Sequence, residues 1–453
     1  MSTRRDSSNS TGKVHILRGV TIITMDQNRR IFATGALVIE DDRILWVGDE
    51  DEIPSYLQDV QAEYLPGRVV LPGFVNLHTH AALTVLRGVG DDIGIAPAYS
   101  PKVPQGIYLT PEDVFCFSLL GGLEAVQFGT TCIVDNYIYE EQAVKAFDEL
   151  GLRAVVSERL HDADLFLLPQ GRYEFDLSRG MELLEQNIRL FETWNGKRNG
   201  RIWVRFGPHA PDTCSPGYLK QILAASEEKR AGLVIHLAQS RREVQQISER
   251  GEKTPVKYLN KFGFLGDFLI AAHCIYLTED DKKLLSESGT NIVHLSTSNA
   301  KSGMLAPIID LKNLGANIGI ATDNMTGDMI EAMRFAVCLA RIRAEDPQVL
   351  RCIDVLEMAT VRGAQALGLE NEIGSIEVGK KADIVIIDFR KVHLNPIVDP
   401  IANLIYNGLA SDIERVYVDG RLVVENGYST QVDCDEIIRE AQERARILWE
   451  KVK

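Results

Sequence analysis

The sequence predicts an α/β protein: a (β/α)8 TIM barrel with a small composite β-sandwich built from both ends of the chain. Three observations carry this. Between about residues 72 and 379, eight apolar strand-like runs alternate with amphipathic helix-like stretches, the pattern of parallel strands buried on both faces. At or within two residues of their ends those runs carry His, Asp, Asn, Glu or Gln, the residue types a barrel gathers at the C-terminal ends of its strands. Short β-rich runs occupy the two ends of the chain. A length of 453 residues leaves room for a barrel and an appendage.

Taken in order, residues 1–13 are rich in Ser, Thr and Arg, and no apolar segment with a small-residue cleavage site follows. A disordered N-terminus without a secretory signal is expected. Over residues 14–71, the runs HILRGVTIITM, GALVIE and RILWVGD are separated by Asp, Asn and Gly turn signals, which reads as an antiparallel sheet. The pattern returns in ADIVIIDF, IERVYVDG and RLVVENG, with a hairpin turned at Asp419-Gly420. Residues 14–71 and 380–453 are therefore assigned to one β-sandwich domain with a C-terminal helix, and 72–379 to the barrel. The barrel runs are FVNLHTH, TTCIVDN, LRAVVSE, RIWVRFGP, GLVIHLAQ, FLIAAHC, TNIVHLS and NIGIATDN.

Charge and cysteines narrow the function classes. With 49 Lys and Arg against 64 Asp and Glu, the net charge is −15, which disfavours a nucleic acid or an anionic membrane surface and leaves small-molecule or protein partners, a small-molecule substrate first. Seven scattered cysteines without a CxxC pair exclude a disulfide framework and a cysteine zinc knuckle, and point to a reducing, cytoplasmic setting.

The chemistry concentrates in LPGFVNLHTH, where His78 and His80 stand at i and i+2 after an apolar run. On a strand these positions share a face, and two imidazoles on one face suit a divalent metal of zinc type. His236, His273 and Asp323 close later apolar runs in the same way. Six of the nine histidines (His78, His80, His209, His236, His273 and His294) sit at such ends, a bias that packing alone does not produce.

These motifs, together with PHAPDTCS, HLAQS, AAHC, HLSTSN, TDN and ALGLENEIGSIEVGKKADIVIID, resemble the amidohydrolase superfamily over roughly residues 14–427. The similarity is to the branch of triazine hydrolases and of cytosine, S-adenosylhomocysteine and guanine deaminases, with a further likeness to phenylurea and thiocarbamate hydrolases in TDNMTGD and HLAQS. The resemblance implies the barrel-plus-sandwich fold, His78, His80, His236 and Asp323 as metal ligands, and His273 as the group that orients or deprotonates the water. Asp323 doubles as a catalytic acceptor of the proton. Two-metal members carry a Lys or Glu after the fourth strand; RIWVRFGPHAP has neither, which implies one divalent ion per subunit, zinc first, with iron, cobalt or manganese equally suited to the ligands. His209 and His294 are implied substrate contacts, and the resemblance implies a homo-oligomer, dimer or tetramer.

One departure bears on the substrate. The deaminase branch reads HxxE at the fifth strand, and its glutamate shuttles a proton to a ring nitrogen; here the position is Gln239, which has no titratable proton. Glu243, one helical turn on, either replaces it or pairs with a neighbour such as Arg242. An amide, urea or carbamate needs no ring protonation, and Gln239 would then hold the substrate by hydrogen bonds. The long stretch ALTVLRGVGDDIGIAPAYSPKVPQGIYL is a candidate lid. Among Tyr99, Tyr108, Tyr137, Trp203 and Phe206, Tyr137 is the preferred pocket aromatic.

Three functions follow. The first is metal-dependent hydrolysis of a C–N bond of amide, urea or carbamate type in a small neutral nitrogen compound, by attack of metal-bound hydroxide. The alternative is hydrolytic deamination or dechlorination of an aminated heterocycle: nucleobase, pterin or s-triazine. The remote third is a non-catalytic metal-containing binding module.

Overall fold

The structure, a computed structural model, describes residues 13–58, 60–92, 97–100 and 103–452. The expected disordered start therefore lies outside the described residues except for Lys13, whose N–H donates to Asp41 Oδ1 at 3.0 Å.

The chain enters the barrel at Phe74–Thr79 and adds Thr130–Tyr137 and Arg153–Leu160. A fourth strand is broken into Ile202–Val204 and Gly207–Pro208; Leu233–Leu237, Leu269–His273, Asn291–His294 and Ile318–Ile320 follow. Strands one to four and five to eight form two parallel sheets. Parallel bridges Phe206↔Leu233 and Thr79↔Asp323 join them. All eight strands are the predicted runs. Alternation along each strand fills the interior with Val75, Leu77, Val134, Val155, Val234, Ile270 and Val293, while the outward side chains pack under the helices.

Local sequence starts those helices. Thr110 caps Pro111–Gln127 in a capping box with Asp113, and Ser215 and Thr254 cap helices that open on Pro216 and Pro255. In each, a side-chain oxygen takes up an N–H that the first turn leaves free, and proline occupies a position where none is needed.

Both chain ends meet in one nine-stranded sheet. Its centre is the antiparallel pairing of Arg68–Pro72 with Ile384–Asp388, Val70 opposite Ile386. The predicted hairpin pairs Ile413–Val418 with Arg421–Glu425. Its turn residues Asp419 and Gly420 are both left-handed, with φ 48° and 69°, the backbone of a tight hairpin turn. The C-terminal helix, Cys434–Lys451, packs on the barrel: Trp449 Nε1 donates to the Val85 carbonyl at 2.9 Å, and Arg444 pairs with Asp113 at 3.1 Å. Ala441 and Leu448 seal the apolar contact with Leu83 and Phe117.

All seven cysteines are free. Among the described residues no helix is long and apolar enough to cross a membrane.

Candidate metal centre and cavity

Parallel strands deliver the histidines to one end of the barrel. His78 and His80 leave the first strand, His236 lies on the fifth, His273 ends the sixth, and Asp323 follows the eighth. All are buried. The backbone locks the register: Asp323 N–H donates to the His78 carbonyl at 3.0 Å, and His80 N–H to the Asp323 carbonyl at 3.1 Å. Ala238, His273 and Asp323 adopt left-handed φ of 50°, 74° and 69°. Residues other than glycine pay for that conformation, and it persists where surroundings impose it, typically at functional sites.

Hydrogen bonds decide which ring nitrogens carry protons. His80 Nδ1–H donates to the Asn136 carbonyl and His236 Nδ1–H to the His209 carbonyl, both at 2.6 Å. A carbonyl only accepts, so in a neutral ring each Nε2 is left with its lone pair. Those two lone pairs face each other at 3.1 Å. Burial holds both rings neutral, pushing His80 down to about 4 against the pull of Asp323, and His236 well below the usual range. Two opposed lone pairs at that distance repel each other, and a cation bound by both nitrogens would relieve the repulsion. His78 Nε2 is buried without a partner, 4.0 Å from Asp323 Oδ1, with His80 Nε2 3.7 Å from the same oxygen. Ligand atoms of His78, His80 and Asp323, and of His78, His236 and His273, converge within 4.8 Å. The donor set of imidazoles and one carboxylate fits a divalent metal.

Further groups orient the ligands from behind. Ser298 Oγ–H donates to Asp323 Oδ2 at 2.5 Å, and His273 Nδ1–H to Asn299 Oδ1 at 3.0 Å, which turns the His273 Nε2 lone pair inward. Gly207 lets the backbone close around Asn136: a Cβ there would lie 2.1 Å from Asn136 Nδ2.

The centre opens into a cavity of about 580 Å³, walled by His80, His209, His236, Gln239, His273 and Asp323 together with Tyr99, Arg159 and Asn299. His209 and Gln239 thus reach it. Two expected substrate contacts do not wall it. Tyr137 is fully buried, its hydroxyl accepting the Gly106 N–H at 2.9 Å, and Tyr99, tied to Asp212 at 2.9 Å, takes its place in the wall. His294 is 3% exposed, with neither ring nitrogen partnered among the described residues. Glu243 is no stand-in acid: its oxygens accept the Ala238 and Gln239 N–H groups at 2.7 and 2.8 Å, bracing the left-handed Ala238. The candidate lid supplies Leu83, Asp91 and Tyr99 to the wall; its residues 93–96 and 101–102 lie outside the described residues.

Sequence reasoning missed Ser298, Asn299 and Arg159. The signal for Arg159 was present: it falls on the same face as Val155, two steps of two along a strand whose alternate side chains enter the barrel.

Comparison with known proteins gives a consistent picture. The model of the Amidohydrolase family matches residues 69–423. The chain is 36% identical over 436 residues to a 5-methylthioadenosine/S-adenosylhomocysteine deaminase of Pelotomaculum thermopropionicum, covering 95% of this chain and 98% of the relative. It is 35% identical to a 5'-deoxyadenosine deaminase of Methanosarcina mazei, covering 96% and 99%. Among solved structures, an adenosine deaminase from Xanthomonas campestris with bound zinc superposes with TM-score 0.85 at 25% identity, over 95% of this chain and 98% of the other. The zinc complex of atrazine chlorohydrolase from Arthrobacter aurescens shares the fold, with TM-score 0.84 at 21% identity over 95% and 99%.

Proposed function

We propose that this chain, which belongs to the amidohydrolase family and is a hydrolase of C–N bonds other than peptide bonds, is a mononuclear metal-dependent deaminase of an aminated heterocycle. The 6-aminopurine nucleosides are the first substrates to test. The opposed Nε2 lone pairs of His80 and His236 carry the metal part of this reading. Relatives similar over nearly the whole chain are named as deaminases, and this supports the reaction. The amide, urea or carbamate substrate expected first from Gln239 gives way to the deaminase alternative on that ground.

His78, His80, His236 and Asp323 would hold one divalent ion, zinc first. Such an ion lowers the pKa of a water from about 15.7 toward about 7, supplying a nucleophile at neutral pH. The protein's own residues do the rest. His273, its Nδ1–H fixed on Asn299, turns an Nε2 lone pair to the cavity, takes one proton of the attacking water and returns it to the ring nitrogen. Asp323 accepts the other proton of that water and passes it to the departing amine, which leaves as ammonia as the C–N bond breaks. Gln239, with Nε2 unpartnered, holds the ring by a hydrogen bond rather than protonating it.

The test is ammonia release from 5'-methylthioadenosine, S-adenosylhomocysteine and 5'-deoxyadenosine by metal-loaded enzyme, beside a panel of aminated pterins and pyrimidines. Ammonia from any of these supports the reading. Amine and carbon dioxide from ureas or carbamates, with no ammonia from any heterocycle, would overturn it and reinstate Gln239 as the mark of an acyl-type site.

A further inference from the structure

Arg159 is the penultimate residue of the third barrel strand and walls the cavity. It is 3% exposed, and its Nε and Nη2 have no hydrogen-bond partner among the described residues. The guanidinium rests 4.8 Å above the Tyr137 ring centroid, and that ring lies 6.2 Å from the ring of His80. A cation withdrawn from water with no counter-charge is costly, and proteins rarely leave one so unless a ligand completes it.

Four other arginines of this chain use the same pair of nitrogens on a carboxylate. Arg153 holds Asp383 at 2.8 and 3.1 Å, Arg68 holds Glu414 at 2.9 and 3.3 Å, Arg390 holds Asp388 at 2.8 and 2.9 Å, and Arg446 holds Glu443 at 3.1 and 2.8 Å. That edge of the guanidinium matches two oxygens in one plane. Other unpartnered atoms of the cavity lean the same way: Gln239 Nε2 and Asn299 Nδ2 are donors, against the acceptor Asn324 Oδ1, with the Thr297 hydroxyl able to act as either. The acids of the wall are already engaged, Asp323 Oδ2 by Ser298 and Asp91 by Lys301 at 3.0 Å. Apart from the histidine and Asp323 acceptors that would hold the metal or the water, the unpartnered atoms of the wall are mostly donors, in a chain whose net charge is −15.

We propose that the cavity selects a substrate carrying a carboxylate on or beside its aminated ring, bound through Nε and Nη2 of Arg159 with Gln239 Nε2 as a further donor. The proposal rests on the deaminase reading for its reaction but not for its binding. Titration calorimetry of metal-loaded wild type, R159K and R159M with benzoate and with benzamide tests it, with metal content measured in parallel. Wild type binds benzoate about 10–100-fold more tightly than benzamide; R159M brings the ratio near one and R159K falls between. Equal affinities in wild type overturn the proposal, as does a ratio that survives in R159M because the metal alone holds the carboxylate. If R159M does not fold, a ratio unchanged in R159K overturns it. Ammonia release from pterin-6-carboxylate relative to 6-methylpterin follows the same ratio. An Arg159-dependent benzoate preference without ammonia from any heterocycle removes the deaminase reading and leaves this one standing. Ammonia release with no such preference does the reverse.

Discussion

The third barrel strand begins on Arg153 and carries Arg159 one residue before its end, the two equally buried at 2% and 3% exposure and treated in opposite ways. Arg153 meets Asp383 through two hydrogen bonds, Asp419 through another, and the Gly200 carbonyl at 3.0 Å. Against the burial that would lower its pKa, Asp383 and Asp419 hold it above the usual range. Among the described residues Arg159 has no such partner, and burial lowers its pKa. The first fastens the barrel to the terminal sheet; the second stands beside histidines whose lone pairs also lack partners. A barrel satisfies its polar groups at the N-terminal end of the strands and leaves them open at the C-terminal end, where ligands complete them.

The comparison can be broken by substitution. His236→Ala or Asp323→Ala is expected to have the largest effect, eliminating bound metal and reducing turnover by more than about 10³-fold, as plasma emission spectrometry and ammonia release would read together. Arg153→Met should cost about 3–5 kcal/mol, since Asp383 and Asp419 are left buried without their cation. Arg159→Met should leave thermal stability unchanged or higher. Calorimetric melting of the two variants side by side measures the contrast, and similar destabilisation of both would erase it.

Asn299→Ala sharpens the same end of the barrel. With His273 free to rotate, turnover should fall about 10–100-fold while metal content stays at the wild-type level. Restoring a glutamate, Gln239→Glu, should raise deamination by about tenfold or more, because a titratable acid again faces the ring. The smallest effect concerns pH. His80 titrates near 4 in the folded chain against 6.5 unfolded, so below 6.5 the unfolded chain binds the extra proton. The metal-free protein should therefore lose stability as pH falls from about 6.5 to 4 and show no contribution from this group above 6.5. Melting temperature against pH checks the sign.

The sequence made the barrel legible because its eight strands are apolar runs of helix-separated, doubly buried type, each with a polar or ligand-type residue at or near its end. His78 and His80 could be placed on one face by strand period alone. What it concealed depended on tertiary neighbours. Tyr137 and Tyr99 look alike in sequence, yet the first, its hydroxyl on the Gly106 N–H, is kept out of the cavity wall, while the second, its hydroxyl on Asp212, forms part of it. Glu243 looked like a spare acid until its oxygens were found on backbone N–H groups. The C-terminal helix carries an amphipathic pattern that does not say whether strands or Pro111–Gln127 will cover it.

The claim that the strand ends are built around a single cation is tested most directly by counting metal in the purified protein after exhaustive dialysis. One divalent ion per chain, lost in His80→Ala, is the predicted result. Two ions per chain, or full turnover from protein holding none, would contradict it.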